Sequence, residues 1–416
     1  VAQGSGVGLG PPRGQGAEGV GLSPWALRRR AGGRAEPMPR DGKEARGGKE
    51  RSRSRKRRKE RRRERDKECP HFDWRRGEAL GPSGRYVVQD LLGEGTFGRV
   101  LACTDSRTQA KVAVKVVKGV KRYCEHAEAE AEVLSEIQAR DPKRQGLCVE
   151  MLDTFLHGRH NFCLVFEPLE TNIRDLLKAN RGRGLYMADA REMTRQLLQS
   201  LAFLHGIGVT HTDLKCRNVM LRHGAVDLAP HPRVENAEAR RPRSCEIVVV
   251  DFGGACFPDE RHGGRVGTRQ FRGPEVVLGL PWDETSDLWS AGCIIAMLYL
   301  GQRPFSVHED MEHLAMMERL TGSELPRRMV KEATLDGELE GVFFRGDGRL
   351  AWPERAPEEE AIERVEDLEP LCDQVLKRHG SFLSLLQGLF EMDPRKRLPA
   401  AAGLRHPYIT EAVVEY

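Results

Sequence analysis

Residues 211–221 read HTDLKCRNVML. Within a few positions they set a histidine, an aspartate, a lysine and an asparagine, and an apolar run follows. Which reaction needs a carboxylate, an ammonium and a carboxamide on one short turn is answered by what surrounds them.

The chain has 416 residues, enough for a two-lobed enzyme and a tail. Its charge is uneven. Residues 1–68 carry 21 Lys/Arg and 9 Asp/Glu, a net of +12, while the whole chain is +5, so the remainder is near −7. A basic arm on an acidic body implies different partners for the two. Residues 1–50 are Gly-, Pro- and Arg-rich without periodicity and are expected to be disordered. The run RSRSRKRRKERRRERDKE (51–68) repels itself and cannot pack a core. It is a solvated basic segment, read functionally as a nuclear localisation signal or a patch for nucleic acid or acidic proteins. Nucleic acid is expected to meet the chain only here, although the run holds no aromatic on which bases could stack. The N-terminus has no apolar core and is not a secretory signal, and because the chain opens on Val1 its true start is expected to lie upstream.

The ten cysteines form no CxxC pair, which points to reduced thiols rather than zinc or a disulfide framework. The longest apolar run, AGCIIAMLYL, falls short of the ~20 residues that span a bilayer, so no membrane role is expected.

Ordered structure is expected from about Tyr86, after a linker at residues 69–85. RYVVQDLLGEGTFGRVLACTD, KVAVKVVK and NFCLVFEPL read as strands rich in β-branched residues. Helical patterning covers about 124–139, and after Leu169 it dominates: 188–205, 286–300, 309–320 and 381–391. The fold class is α+β. A small β-rich lobe with one main helix (86–169) precedes a larger α-helical lobe (170–410) and a short end (411–416).

GEGTFGRV (93–100) lies between two strands, not at the start of a helix as in a dinucleotide fold. A glycine-rich hairpin tip can bring backbone N–H groups close to phosphates. GxGxxGxV followed by VAVK resembles the protein-kinase signature. In that pattern Gly93, Glu94, Gly95, Thr96, Phe97 and Gly98 cover the phosphates of ATP, and Lys115 reaches the α- and β-phosphates. Glu130, with Glu132 the alternative, anchors that lysine. HxDxKxxN and the DFG of IVVVDFGGACF follow in the same order. The resemblance implies that Asp213 accepts the substrate hydroxyl proton. Lys215 meets the transferring phosphoryl group, Asn218 and Asp251 hold Mg²⁺, and His211 packs beneath the loop. Leu92, Val100 and Ala113 enclose the adenine, with Phe166 behind it. Glu167 and Leu169 offer backbone groups, and Asp175 reaches the ribose. In GTRQFRGPE (267–275), Thr268 clamps the substrate and Glu275 pairs with Arg397, while Asp287 of SDLWSAG braces the catalytic loop.

EHLAMMERLTG (312–322) would bury Leu314, Met317 and Leu320 on one helical face. It also carries LAMMER intact, and with HTDLK, EHAEAEAEVL and FFRGDGRLAW the chain resembles the LAMMER, or CDC-like, kinases over about residues 69–410. The resemblance implies a dual-specificity kinase, and the chain is expected to be a monomer found in the nucleus, by its basic run, and also in the cytoplasm. Its expected substrates are Arg/Ser-rich splicing factors, so that it regulates pre-mRNA splicing. A body near −7 would attract Arg-rich peptides independently. Thr212 stands where most kinases have an arginine that pairs with a phosphate on the activation loop. A threonine makes no such charge-assisted pair, so activity without that phosphate is expected. The chain departs from the pattern at Cys216-Arg217, in place of Pro-Glu, and at Phe271 and Gly273. These departures bear on substrate preference, not on the chemistry. The rival readings are a kinase-fold scaffold without activity, which should lack one of Lys115, Asp213, Asn218 or Asp251, and an RNA-associated factor acting through the tail.

Overall fold

The computed structural model describes residues 69–260, 264–307, 309–335, 343–412 and Glu415. The tail assigned to residues 1–68 lies outside them. The described residues belong to one compact unit, Glu64–Tyr416.

Six antiparallel strands in the order β1-β2-β3-β4-β6-β5 build the small lobe: β1 (Ala79–Leu80), β2 (Tyr86–Gly95), β3 (Gly98–Asp105), β4 (Lys111–Val117), β5 (Met151–His157) and β6 (Asn161–Phe166). β4 shows why the alternation matters. Val112, Val114 and Val116 face one way, into a cluster with Leu80, Tyr86, Val88, Leu101, Phe155 and Val165. The intervening residues, ending in Val117, face α1 (Lys121–Arg140), where Tyr123, Ala127 and Leu164 join them. Residues 69–85 are more than the expected linker. β1 pairs with β2, and Phe72 and Trp74 pack on the strand cluster, because their apolar surface has that cluster to cover. β5 had escaped the sequence reading because its exposed leucines, Leu152 and Leu156, blur the alternation.

In the large lobe, β7 (Thr171–Asn172), β8 (Val219–Leu221) and β11 (Ile247–Val249) form a short sheet in the order β11-β8-β7. Around it stand α2 (Ile173–Ala179), α3 (Met187–Gly206), α4 (Pro274–Val277), α5 (Thr285–Leu300), α6 (Asp310–Thr321), α7 (Arg327–Thr334), α8 (Glu359–Glu366), α9 (Leu371–Gln374) and α10 (Gly380–Leu389). α5 is apolar on nearly every side and lies wholly inside, with Trp289 against Phe305 and Phe390. Among the described residues no helix is long and apolar enough to cross a membrane, and all ten cysteines are free. Between the catalytic stretch and DFG, β9 (Val226–Pro230) and β10 (Glu238–Pro242) make a hairpin. Arg241 ties it to Asp189 of α3 at 2.9 and 3.1 Å.

Candidate active site

Strand register gathers one face of the small lobe. Gly93 lies opposite Val100, Val100 opposite Lys115, and Ala113 opposite Phe166. Directly paired residues share a face, as do residues two apart, so Val100, Ala113, Lys115 and Phe166 face the same side. Leu92 is exposed at the edge. The glycines differ in what they accomplish. A Cβ at Gly98 would fall 2.2 Å from the Val116 carbonyl oxygen, so Gly98 lets two strands approach. A Cβ at Gly93 or Gly95 would meet no protein atom within 4 Å, so there the hairpin leaves space over the cleft. Thr96 and Phe97 form the tip, and Phe97 stands edge-on to Tyr123 of α1. Glu94 is turned to Arg99 at 2.7 Å.

Lys115 Nζ lies 2.7 and 3.0 Å from the two carboxylate oxygens of Glu130 and 3.6 Å from Asp251. Burial opposes the ammonium, but Glu130 and Asp251 outweigh it and hold the Lys115 pKa above its ordinary value. Glu132 does not make this contact, so of the two glutamates Glu130 is the one the helix turns inward. Burial would likewise raise Asp251. Lys115, His211 and Lys215 hold it below the usual carboxylate range.

The catalytic stretch leaves β8 behind a single 3₁₀ turn, Cys216–Asn218. Asn218 Nδ2 donates to the Asp213 carbonyl at 2.9 Å and to Asp251 Oδ2 at 3.3 Å. Lys215 donates to Asp213 Oδ2. Asp213 Oδ1 accepts from both the N–H and the hydroxyl of Thr268, at 2.8 and 2.7 Å. His211 is fully buried. Its Nε2 bonds the Val250 carbonyl and its Nδ1 accepts from Asp213 N. Asp287 of α5 accepts from the N–H groups of His211 and Thr212 at 2.8 and 2.9 Å and bonds His205. Thr212, so anchored, and Asp251 stand at left-handed φ of 71° and 68°, conformations that cost a non-glycine residue about 1–3 kcal/mol.

Farther out, Arg397 forks onto Glu275 at 2.8 and 2.9 Å with both side chains buried. Glu167 N–H bonds the Glu150 carbonyl and its side chain pairs with Arg144 and Arg222. That leaves its carbonyl as the backbone group it can offer to a ligand. Leu169 rests on the main core. Asp175 sits in the first turn of α2 and accepts from Asn172 Nδ2 at 2.7 Å. Burial pushes the Cys216 thiol up to about 12, against Met297, so it is a filler rather than a reactive group. Sequence reading had missed Arg265 and Arg269, which pair with Asp310 of α6 at 2.5 and 3.5 Å. Only their cationic type, within and just after the glycine-rich 263–267 segment, could have hinted at it.

Among the described residues no cluster of three or more His, Cys, Asp or Glu can hold a metal. One carboxylate and one carboxamide 3.3 Å apart are instead a partial oxygen set. Such a set fits a hard cation that keeps waters and takes its other ligands from a bound phosphate. A cleft with an open glycine roof, a half-buried lysine at its back and this pair at its mouth fits a nucleoside triphosphate and its divalent metal.

The fold and site define a protein kinase. A protein kinase domain profile matches residues 86–409. The chain is 38% identical to the dual specificity protein kinase CLK1 of Homo sapiens, covering 82% of this chain and 69% of that protein. It is 37% identical to the serine/threonine-protein kinase AFC2 of Arabidopsis thaliana, over 82% and 80%. A solved kinase-domain crystal structure superposes with a TM-score of 0.77 at 35% identity, over 82% of this chain and 98% of that one. The chain belongs to the protein kinase family, in its LAMMER, or CDC-like, branch, and is a dual-specificity Ser/Thr/Tyr kinase that uses ATP and a divalent cation.

Proposed function

We propose that this kinase transfers the ATP γ-phosphate to serines of Arg/Ser-rich splicing proteins in the nucleus, with Mg²⁺ as its metal, and so regulates pre-mRNA splicing. The observation that carries the chemistry is one unbroken chain of contacts: Glu130–Lys115–Asp251–Asn218–Asp213–Lys215–Thr268. Asp213 faces the cleft with Oδ1 fixed by Thr268, in position to orient a substrate hydroxyl and take its proton. Lys215 supplies a positive charge beside it, and Lys115, held by Glu130, offers a second at the back of the cleft. Asn218 and Asp251 would hold the Mg²⁺, which neutralises the transferring phosphates when bound. The Arg/Ser preference rests on the body's charge near −7, with exposed carboxylates on α8.

The test is a radiolabelled-ATP assay of the full chain on an Arg/Ser peptide library with mapping of the labelled sites. Wild type should label serines between arginines, and Asp213→Asn should lose about 100- to 10,000-fold in kcat. An Asp213→Asn enzyme labelling at full rate would remove the chemistry from this site. Labelling without preference for Arg/Ser peptides would remove only the substrate class.

A further inference from the structure

Beside the transfer site lies an open hollow of about 460 Å³. Lys215 and Thr268 form its inner wall, and both also touch Asp213. Arg174, Lys178, Arg217 and Arg303 surround it. No aspartate or glutamate lines it, and these four cations are exposed with no carboxylate partner among the described residues. Its floor is apolar, with Cys216 packed on Met297. Arg174 reaches the hollow from α2 and Arg303 from the turn after α5.

This arrangement sits awkwardly with a substrate in which arginine would enter the hollow. Four unpaired cations around an uncharged floor repel a guanidinium and attract a dianion. Three of them are arginines, whose planar forks match phosphate oxygens bidentately. We propose that the hollow is a specificity site for a phosphoserine two residues from the acceptor serine, that is, for the product of an earlier round of phosphorylation on the same repeat. The inference rests on the Arg/Ser reading above and deepens it.

The spacing follows from backbone geometry. In an extended peptide, residues two apart point to the same side, roughly 6.6 Å from one another. An acceptor serine directed at Asp213 therefore sends the residue two positions away toward the enzyme and the residues next to it away. In an Arg/Ser repeat the inward pair are both serines, and the arginines between them point away from the hollow. Once the first serine is phosphorylated it carries about −1.5 to −2 charges and three acceptor oxygens that the four cations can share. The enzyme would then work progressively along a repeat, each product improving the next acceptor.

The experiment uses the full chain and Arg/Ser peptides with a single acceptor serine. The position two residues away, on each side in turn, holds phosphoserine, alanine or arginine. On one side the phosphoserine peptide should exceed the alanine peptide in kcat/KM by about 10- to 100-fold, as expected for charge-assisted bonds, and arginine should be the worst. The Arg217→Ala/Arg303→Ala double variant should lose that preference while keeping its rate on the alanine peptide, which also shows that it is folded. Equal use of the three peptides on both sides by wild type, or an unchanged preference in the double variant, overturns the proposal. If a basic protein without Arg/Ser repeats is labelled while none of the peptides is, the Arg/Ser reading itself fails and takes this occupant with it.

Discussion

Asp213 is held on both oxygens, Oδ1 by Thr268 and Oδ2 by Lys215, and its own carbonyl is fixed by Asn218. Such a carboxylate has few rotamers left to lose when a substrate arrives. The neighbouring Thr212 shows what a single residue can spare. Its hydroxyl donates to the Gly254 carbonyl at 2.9 Å, bonding the catalytic loop to the start of the activation segment without any phosphate. The end of that segment is likewise fastened by carboxylate, through Arg265 and Arg269 on Asp310. Enzyme treated with phosphatase until its activation segment is free of phosphate by mass spectrometry should retain more than about half its kcat. A loss approaching 100-fold would show that a phosphate organises the loop after all. At this scale the sequence was highly legible. Lys115, Asp213, Asn218 and Asp251 carry spacings that only one reaction class explains. The Asp310 pairs were not, since nothing in the chain order of three surface charges says that they meet.

Among the elements, α6 combines legible and hidden features. The periodicity of EHLAMMERLTG marks Leu314, Met317 and Leu320 as inward, and each is at most 1% exposed. Gly322 closes the helix at φ 68°, and Glu309 with Glu312 caps its start. Less visible is His313, fully buried against Phe305 with neither ring nitrogen bonded among the described residues. Burial, helped by Arg272 and Arg269, lowers its pKa to about 3. The folded state therefore refuses a proton that the unfolded chain accepts near 6.5. The stability His313 allows is complete above that value and is lost as pH falls from 6.5 toward 3. Urea unfolding at pH 7 and pH 5 should show His313→Leu losing about 2 kcal/mol less than wild type over that interval. Equal losses would mean that His313 is protonated in the fold. The Glu275–Arg397 fork makes a second case. Removing one partner strands a buried charge, so Arg397→Met should cost about 3–5 kcal/mol in the same unfolding measurement. Glu275→Leu/Arg397→Met should recover most of it. A double variant as unstable as the single one would show that the pair has a role beyond mutual neutralisation.

For the whole molecule, the basic residues 1–68 and a body near −7 divide the labour of finding partners. If the basic run is an import signal, a fluorescent fusion of the full chain should be nuclear. Deleting residues 51–68 should lower its nuclear-to-cytoplasmic ratio several-fold while activity on peptides is kept. An unchanged distribution would assign the run another role, contact with nucleic acid among them. The two-lobed α+β architecture was legible because β-branched alternation gives way to helical periodicity near Leu169, a change that local propensity registers.

By itself the sequence determined the reaction class, the lobes and the identities of the reacting side chains, because each depends on local spacing: period two for the strands, 3.6 for the helices, and fixed offsets in the loops. Only the tertiary structure decided which charges meet across long intervals of chain. It chose Glu130 over Glu132 by rotating α1, and joined Arg241 to Asp189 through an unforeseen hairpin. It also capped the uncapped start of α3 with the carboxylate of Glu415, which accepts from Met187 and Ala188 N–H at 2.9 and 2.6 Å. And it gathered Arg174, Arg217 and Arg303 around one hollow. Such pairings follow from how packed elements orient one another in three dimensions, and no short-range pattern in a chain encodes the distance between residues far apart along it.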